Sequence, residues 1–288
     1  MAKIPVGKTI GFAYNFTFGH LGAIIALIWL PTIAVALLSF LPQFLGMPAQ
    51  AMFTPNVPPD ARLLGICASF TSMVFSIMTY QAVAELALGL RQPGANFYFS
   101  LAAPIWRLLG AILLFILLLA LFVVIFVVAL VVVGGVAAAL GGKPAAAIAV
   151  VLAMPFALGF FWLVIFRIGF LIVPVTVAEG RIDLARGWTL THGNFWRMLG
   201  VAAVIWLPFL VVFAIGFVLS LGSDFSALMA TIKDTSAQAD VARAALIQRH
   251  MPMLIGLNLL LTPLVMGLGV GASSFAYRAL TPSTDVFA

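Results

Sequence analysis

Residues 108–142 read LLGAILLFILLLALFVVIFVVALVVVGGVAAALGG, without one charged side chain, and Lys143 and Pro144 follow. A helix rises 1.5 Å per residue, so roughly 20 apolar residues cross a hydrocarbon core about 30 Å thick. This run exceeds one crossing. The turn Gly141-Gly142-Lys143-Pro144 divides it from a second apolar stretch at 145–177, since Gly and Pro punctuate helices. The pair predicts a transmembrane hairpin. Four further stretches of the same kind lie at 21–42, 63–89, 198–222 and 252–277, which gives six spans. The fourth span, 145–177, is too long to cross upright, and Pro155 and Pro174 are the expected places for a break.

Composition agrees with this reading and excludes its rivals. Of 288 residues, 64% are hydrophobic and 8% charged, against about 45–50% and about 25% in soluble domains. Disorder is excluded by the same numbers. A disulfide scaffold is excluded because Cys67 is the one cysteine. Lys3 and Lys8 precede an apolar run and Ala49-Gln50-Ala51 has cleavage-site spacing. That run is longer than a signal h-region, so it is read as a permanent first helix.

Basic residues predict the orientation. With six spans the termini share a side, which carries Lys3, Lys8, Arg91, Arg107, Arg181, Arg186, Arg197 and Arg278. The other side carries Arg62, Lys143, Lys233, Arg243 and Arg249, three of them in the long 223–250 loop, and Arg167 lies within a span. The excess places both termini in the cytoplasm, where anionic headgroups attract the net charge of +6.

The chain also resembles itself. Trp106-Arg107-Leu108-Leu109-Gly110 returns ninety positions on as Trp196-Arg197-Met198-Leu199-Gly200, and Arg91 falls on Arg181. Ile28-Trp29-Leu30-Pro31 returns as Ile205-Trp206-Leu207-Pro208. Three parallel hairpin repeats within one domain, 1–288, are expected, at roughly 1–90, 91–180 and 181–280. Between hairpins, 182–195 suits a short helix in the headgroup layer, with Ile182, Leu184, Trp188 and Phe195 on one face. The uncharged 94–105 segment is a shallow reentrant or an irregular connector, and 236–250 is Ala-rich and helical.

Candidate chemistry is sparse. Glu85 and Arg167 are ionisable residues inside spans, where charge is costly. A shared ion pair is expected, with a proton or substrate relay, or Glu85 simply reaching the interface near Arg91, as alternatives. Trp106, Arg107, Arg181, Arg186, Trp188, Trp196 and Arg197 are expected to hold lipid headgroups or a partner at the interface. Gly267 and Gly271, spaced as GxxxG, are expected to form a helix-packing face, with Asn258 and Thr262 adding hydrogen bonds. Histidines are scattered and Ser273 and Ser274 lack a base, so no catalytic set, metal site, cofactor or nucleic-acid contact is expected.

The stretch from Ala185 to Arg197, following Pro174 and Glu179, resembles a motif of uncharacterised bacterial multi-helix membrane proteins. These are related to the membrane domain attached to some glycerophosphodiester phosphodiesterases. The resemblance is specific over 167–206 and topological elsewhere. In those enzymes catalysis belongs to a separate soluble barrel, for which this chain has no room. The resemblance therefore implies a bacterial inner-membrane domain without the enzyme, and no catalytic residue. A non-enzymatic scaffold, assembly factor or subunit of a membrane complex is the expected role, with a homo-oligomer or membrane-protein partner. A small transporter or lipid-handling channel is the alternative.

Overall fold

A computed structural model describes residues 2–44, 59–91, 98–232, 234 and 236–281. Every regular element among them is a helix: α1 (Val6–Gly19), α2 (Leu21–Phe44), α3 (Pro59–Ala87), α4 (Ala103–Val164), a π-helical turn (Ile165–Gly169), α5 (Phe170–Glu179), α6 (Leu184–Leu190), α7 (Phe195–Leu221), α8 (Asp224–Ile232) and α9 (Ala237–Leu280). Five helical segments are long and apolar enough to cross a bilayer: Leu21–Leu38, Arg62–Ala87, Ala103–Glu179, Phe195–Leu221 and Val241–Leu280. This is the construction of a multi-pass membrane protein.

The third segment does not run straight. Gly142 leaves helical geometry at φ 74°, ψ −172°, a region open to glycine because it has no Cβ. The chain then folds back, and the Phe122 ring lies 5.2 Å from Phe160 and 6.0 Å from Phe161. Straight helix would hold Phe122 and Phe160 about 57 Å apart at 1.5 Å per residue. The expected turn therefore exists, and Gly142 alone makes it. The expected break at Pro155 or Pro174 falls between them instead, as the π-helical turn Ile165–Gly169. Both prolines sit inside helix, while the widened turn receives α6. Thr191 Oγ1 donates to the Arg167 carbonyl at 3.0 Å, and Gly187 lies against the backbone of Arg167 and Ile168.

Two elements depart from the expected spans. α9 takes in the Ala-rich 237–250 segment without interruption. α1 has no counterpart among the expected spans. It buries Thr9, Ala13, Phe16 and Thr17 and packs against α9, with Phe12 stacked 5.0 Å from Phe275. His20 ends it, its backbone N–H and Nδ1 both directed at the Phe16 carbonyl.

One buried cluster of the core lies at one end of the bundle. It contains Ile4, Leu88, Leu171, Val175, Met198, Tyr277 and Leu280. The first and last described segments therefore meet. From this end the α4 hairpin extends outward: Ile116, Leu117 and Leu118, about 100° apart around the helix, are each exposed.

Candidate functional site

The polar side chains of that end form four constellations. In the first, Glu85 stands in the last turn of α3, and Gly89, at φ 73°, turns the chain so that Arg91 comes back to it. Arg91 Nε donates to Glu85 Oε2 at 3.0 Å, and Gln81 Nε2 donates to Oε1 at 2.8 Å. The guanidinium of Arg91 lies 4.5 Å over the Tyr98 ring, whose hydroxyl points at Glu85 Oε1 from 3.5 Å. Burial first, and then the Glu85 carboxylate, push the Tyr98 phenol up to about 12, so it stays protonated.

The expected pairing of Glu85 with Arg167 is thus corrected. Glu85 pairs instead with Arg91, near which it was expected only to reach the interface. The reason is local: six residues of chain with one left-handed glycine bring Arg91 to Glu85 at small entropic cost. Arg167 has other partners. Its guanidinium lies 3.7 Å over the Trp188 ring, and Nη2 donates to the Trp188 carbonyl at 2.8 Å. That carbonyl belongs to the last turn of α6, the end of a helix that attracts cations. A ring face and a helix end take the place of an acid.

The third constellation was not foreseen. Glu179, the last residue of α5, accepts from Arg181 Nε at 3.1 Å, Arg186 Nε at 3.1 Å and Tyr277 Oη at 3.2 Å. Asp183 joins it, 3.3 Å from Arg181, while capping α6 through the Arg186 N–H at 2.8 Å. The signal was present in the sequence, because Glu179-Gly180-Arg181 repeats the logic of Glu85, Gly89 and Arg91 in compressed form. Arg278 completes the end, donating to the Ala87 carbonyl at the end of α3.

The fourth constellation clasps the N-terminal segment. Buried Asn194 accepts from the Ile4 N–H at 3.0 Å and donates to the Ala2 carbonyl at 3.1 Å, and Arg197 Nη1 donates to the Ile4 carbonyl at 2.9 Å. The expected interfacial set therefore divides. Trp106, Arg107 and Trp196 are exposed. Arg186, Trp188 and Arg197 are turned to partners within the protein, a correction to their expected outward role. Arg181 is exposed but held by Glu179 and Asp183.

Gly267 and Gly271 lie where α1 crosses α9. A Cβ on Gly267 would come within 2.7 Å of Thr17 Cγ2, and one on Gly271 within 3.0 Å of Phe16 Cδ1. Thr262 donates to the Asn258 carbonyl and Oδ1 on its own helix, not across an interface. The 94–105 connector falls partly outside the described residues; its described part is irregular until α4 begins at Ala103, with the Tyr98 N–H donating to the Leu27 carbonyl. Among the described residues no three His, Cys, Asp or Glu side chains converge as a metal site.

Apolar helices of bilayer length joined at one ionic, aromatic-rimmed end define an all-helical, multi-pass membrane protein. The chain matches no family model, no curated protein and no solved structure.

Proposed function

We propose that the chain crosses the bacterial cytoplasmic membrane six times, as three hairpins, with both termini in the cytoplasm. Its role is non-enzymatic, as a scaffold or subunit of a larger membrane complex. The repeat supports the first part, since a short helix precedes a long apolar one in both α1–α2 and α6–α7. One observation carries the second part. The most apolar window of the α4 hairpin is 0% buried, whereas the other four segments bury 17–33% of theirs. A hairpin bare on all sides offers far more lateral surface than a helix within a bundle, and partner helices pack on such surfaces through van der Waals contact. The resemblance over 167–206, to a membrane domain, supports the same reading.

A second reading, a small transporter or lipid-handling channel, is favoured by a cavity of about 540 Å³ among α2, α3, α7 and α9. Thr32, Ser76, Thr79, Asn258 and Thr262 line it. The hydroxyls of Thr32, Ser76, Thr79 and Thr262 donate to carbonyls of their own helices, which leaves oxygen lone pairs for a guest.

Photo-crosslinking in cells separates the two. A crosslinker at Leu117 or Val128 of α4 is expected to capture one protein at high yield, and a crosslinker at Leu210 of α7 is expected to capture lipid. Lipid adducts alone at both α4 positions would overturn the scaffold reading. Topology is tested by cysteine labelling in a Cys67→Ala background. Exposed His192→Cys and Gln238→Cys are expected to label from opposite sides; labelling of both from one side would exclude the six-pass arrangement.

A further inference from the structure

We propose that the cleft between the ends of α3, α4 and α5 binds an aminoalkyl phosphate, the chemistry of a phosphatidylethanolamine headgroup. The inference rests on the membrane placement of this end and is independent of the scaffold reading.

The cleft has a volume of about 280 Å³ and is lined by Gln81, Glu85, Arg107, Thr176 and Gly180, among others. This is just below the range of small-molecule sites, roughly 300–1,000 Å³. It suits a headgroup and is too small for acyl chains.

Gln81 is the first indication of a ligand. It is 2% exposed, and its Nε2 is committed to Glu85, yet its Oε1 is buried with no partner. A buried amide oxygen in that condition is a donor's missing counterpart. Glu85 beside it accepts one hydrogen bond on each oxygen within donor distance of 3.0 Å, from Gln81 and Arg91. A carboxylate has about four lone-pair sites, so it retains capacity for a donor approaching from the cleft.

Arg107 is the second indication. Its Nη1 lies 3.5 Å from the position a Cβ on Gly180 would occupy, so the guanidinium lies at the end of α5. Among the described residues it makes no hydrogen bond or ion pair. The cleft thus presents acceptors inside and a free cation at its exposed edge.

Ligand charge follows from this polarity. Glu85 is already balanced by Arg91, so Arg107 is the uncompensated charge. A phosphate answers Arg107 with a fork of charge-assisted hydrogen bonds. A primary ammonium linked to it by two carbons carries three N–H donors to Gln81 Oε1 and Glu85. A wholly anionic headgroup would satisfy Arg107 but bring negative charge toward Glu85. A choline headgroup has the right charges and no N–H to donate. Trp106, 46% exposed beside Arg107 with its Nε1 held by the Leu101 carbonyl, sets this end at headgroup depth.

The test uses the full chain in detergent micelles, with native mass spectrometry or the thermal unfolding shift as readout. The probes are phosphatidylethanolamine, its N-methyl and N,N-dimethyl forms, phosphatidylcholine and phosphatidylglycerol, all with the same acyl chains. Phosphatidylethanolamine is expected to bind at least tenfold more tightly than phosphatidylcholine or phosphatidylglycerol, with affinity falling at each methylation. Gln81→Leu and Arg107→Gln are each expected to abolish the preference. Equal binding of the ethanolamine and choline lipids, or preference for phosphatidylglycerol, would overturn the proposal, and this comparison stands on the unaltered chain if a variant fails to fold. Glycerophosphoethanolamine distinguishes the sources. Failure to compete at millimolar concentration, with the ethanolamine preference present, supports the lipid; effective competition supports the same site with a soluble ligand.

Discussion

Glu85 is held by Arg91 and Gln81 at helix-end distances, while Arg167 leans on Trp188, and this division predicts how substitutions combine. Glu85→Gln and Arg91→Gln are expected to show a coupling energy of about 1 kcal/mol in a double-mutant cycle, as residues in one hydrogen-bonded network do. Glu85→Gln and Arg167→Gln are expected to add within about 0.5 kcal/mol. Unfolding of the four variants in detergent measures both, and the reverse ranking would show that the ion pair crosses between helices after all. The intramembrane charges were legible as residues in need of partners, and Arg91, close in sequence to Glu85, was legible as its neighbour at the interface but not as its partner. Trp188 escaped because its ring reaches Arg167 only after the π-helical turn and α6 have formed, a tertiary geometry that no spacing rule encodes. Glu179 escaped for another reason. It stands at the edge of a span, where a carboxylate looks solvated, and its third donor, Tyr277, is ninety-eight residues away.

At the scale of elements, apolar periodicity revealed the long helices and glycine revealed the turn at Gly142, because both are properties of the local chain. α1 was missed because its interior face is made of Thr9, Ala13, Phe16 and Thr17, whose mixed polarity hides a helical stripe. The same crossing yields a contrast between two glycines of α9. Gly267→Ala places a methyl within 2.8 Å of the Thr17 side chain, a stiff β-branched residue, whereas a Cβ on Gly269 meets nothing within 4 Å. Gly267→Ala is expected to destabilise the protein by about 1–3 kcal/mol through overpacking. Gly269→Ala should be neutral or slightly stabilising. Equal effects on the thermal unfolding temperature would mean that α1 does not pack here. The hairpin turn is similarly testable. Gly142→Ala forces a Cβ into a region nearly exclusive to glycine, at a cost of about 1–3 kcal/mol. Disulfide trapping between cysteines at 122 and 160 should become slower, and an unchanged rate would place the turn elsewhere.

Across the whole molecule the two ends differ in what secures them. At the end bearing α8, Asp224 Oδ2 lies 3.0 Å from His250 Nε2 and 3.3 Å from Arg249. The His250 hydrogen bond, more than the nearby positive charges, holds its carboxyl below the ordinary 3.8. A group whose folded value is depressed gives its full stabilisation above the unfolded value and loses it as pH falls through the folded one. Protection of the Leu228 amide, buried on α8, against hydrogen exchange is therefore expected to fall, relative to the intrinsic exchange rate, as pH drops below about 4. Asp224→Asn should remove that pH dependence; its persistence would assign the effect to another carboxylate. The opposite end is secured by bonds between the first residues and the last third of the chain, such as Ile4 to Asn194, 190 positions apart. At about 5–20 residues per second of synthesis, Ile4 waits roughly 10–40 s for Asn194 to be made. Throughout that interval α1 lacks both its clasp and its seat on α9, so the nascent protein carries an open seam that only the last third of the chain closes.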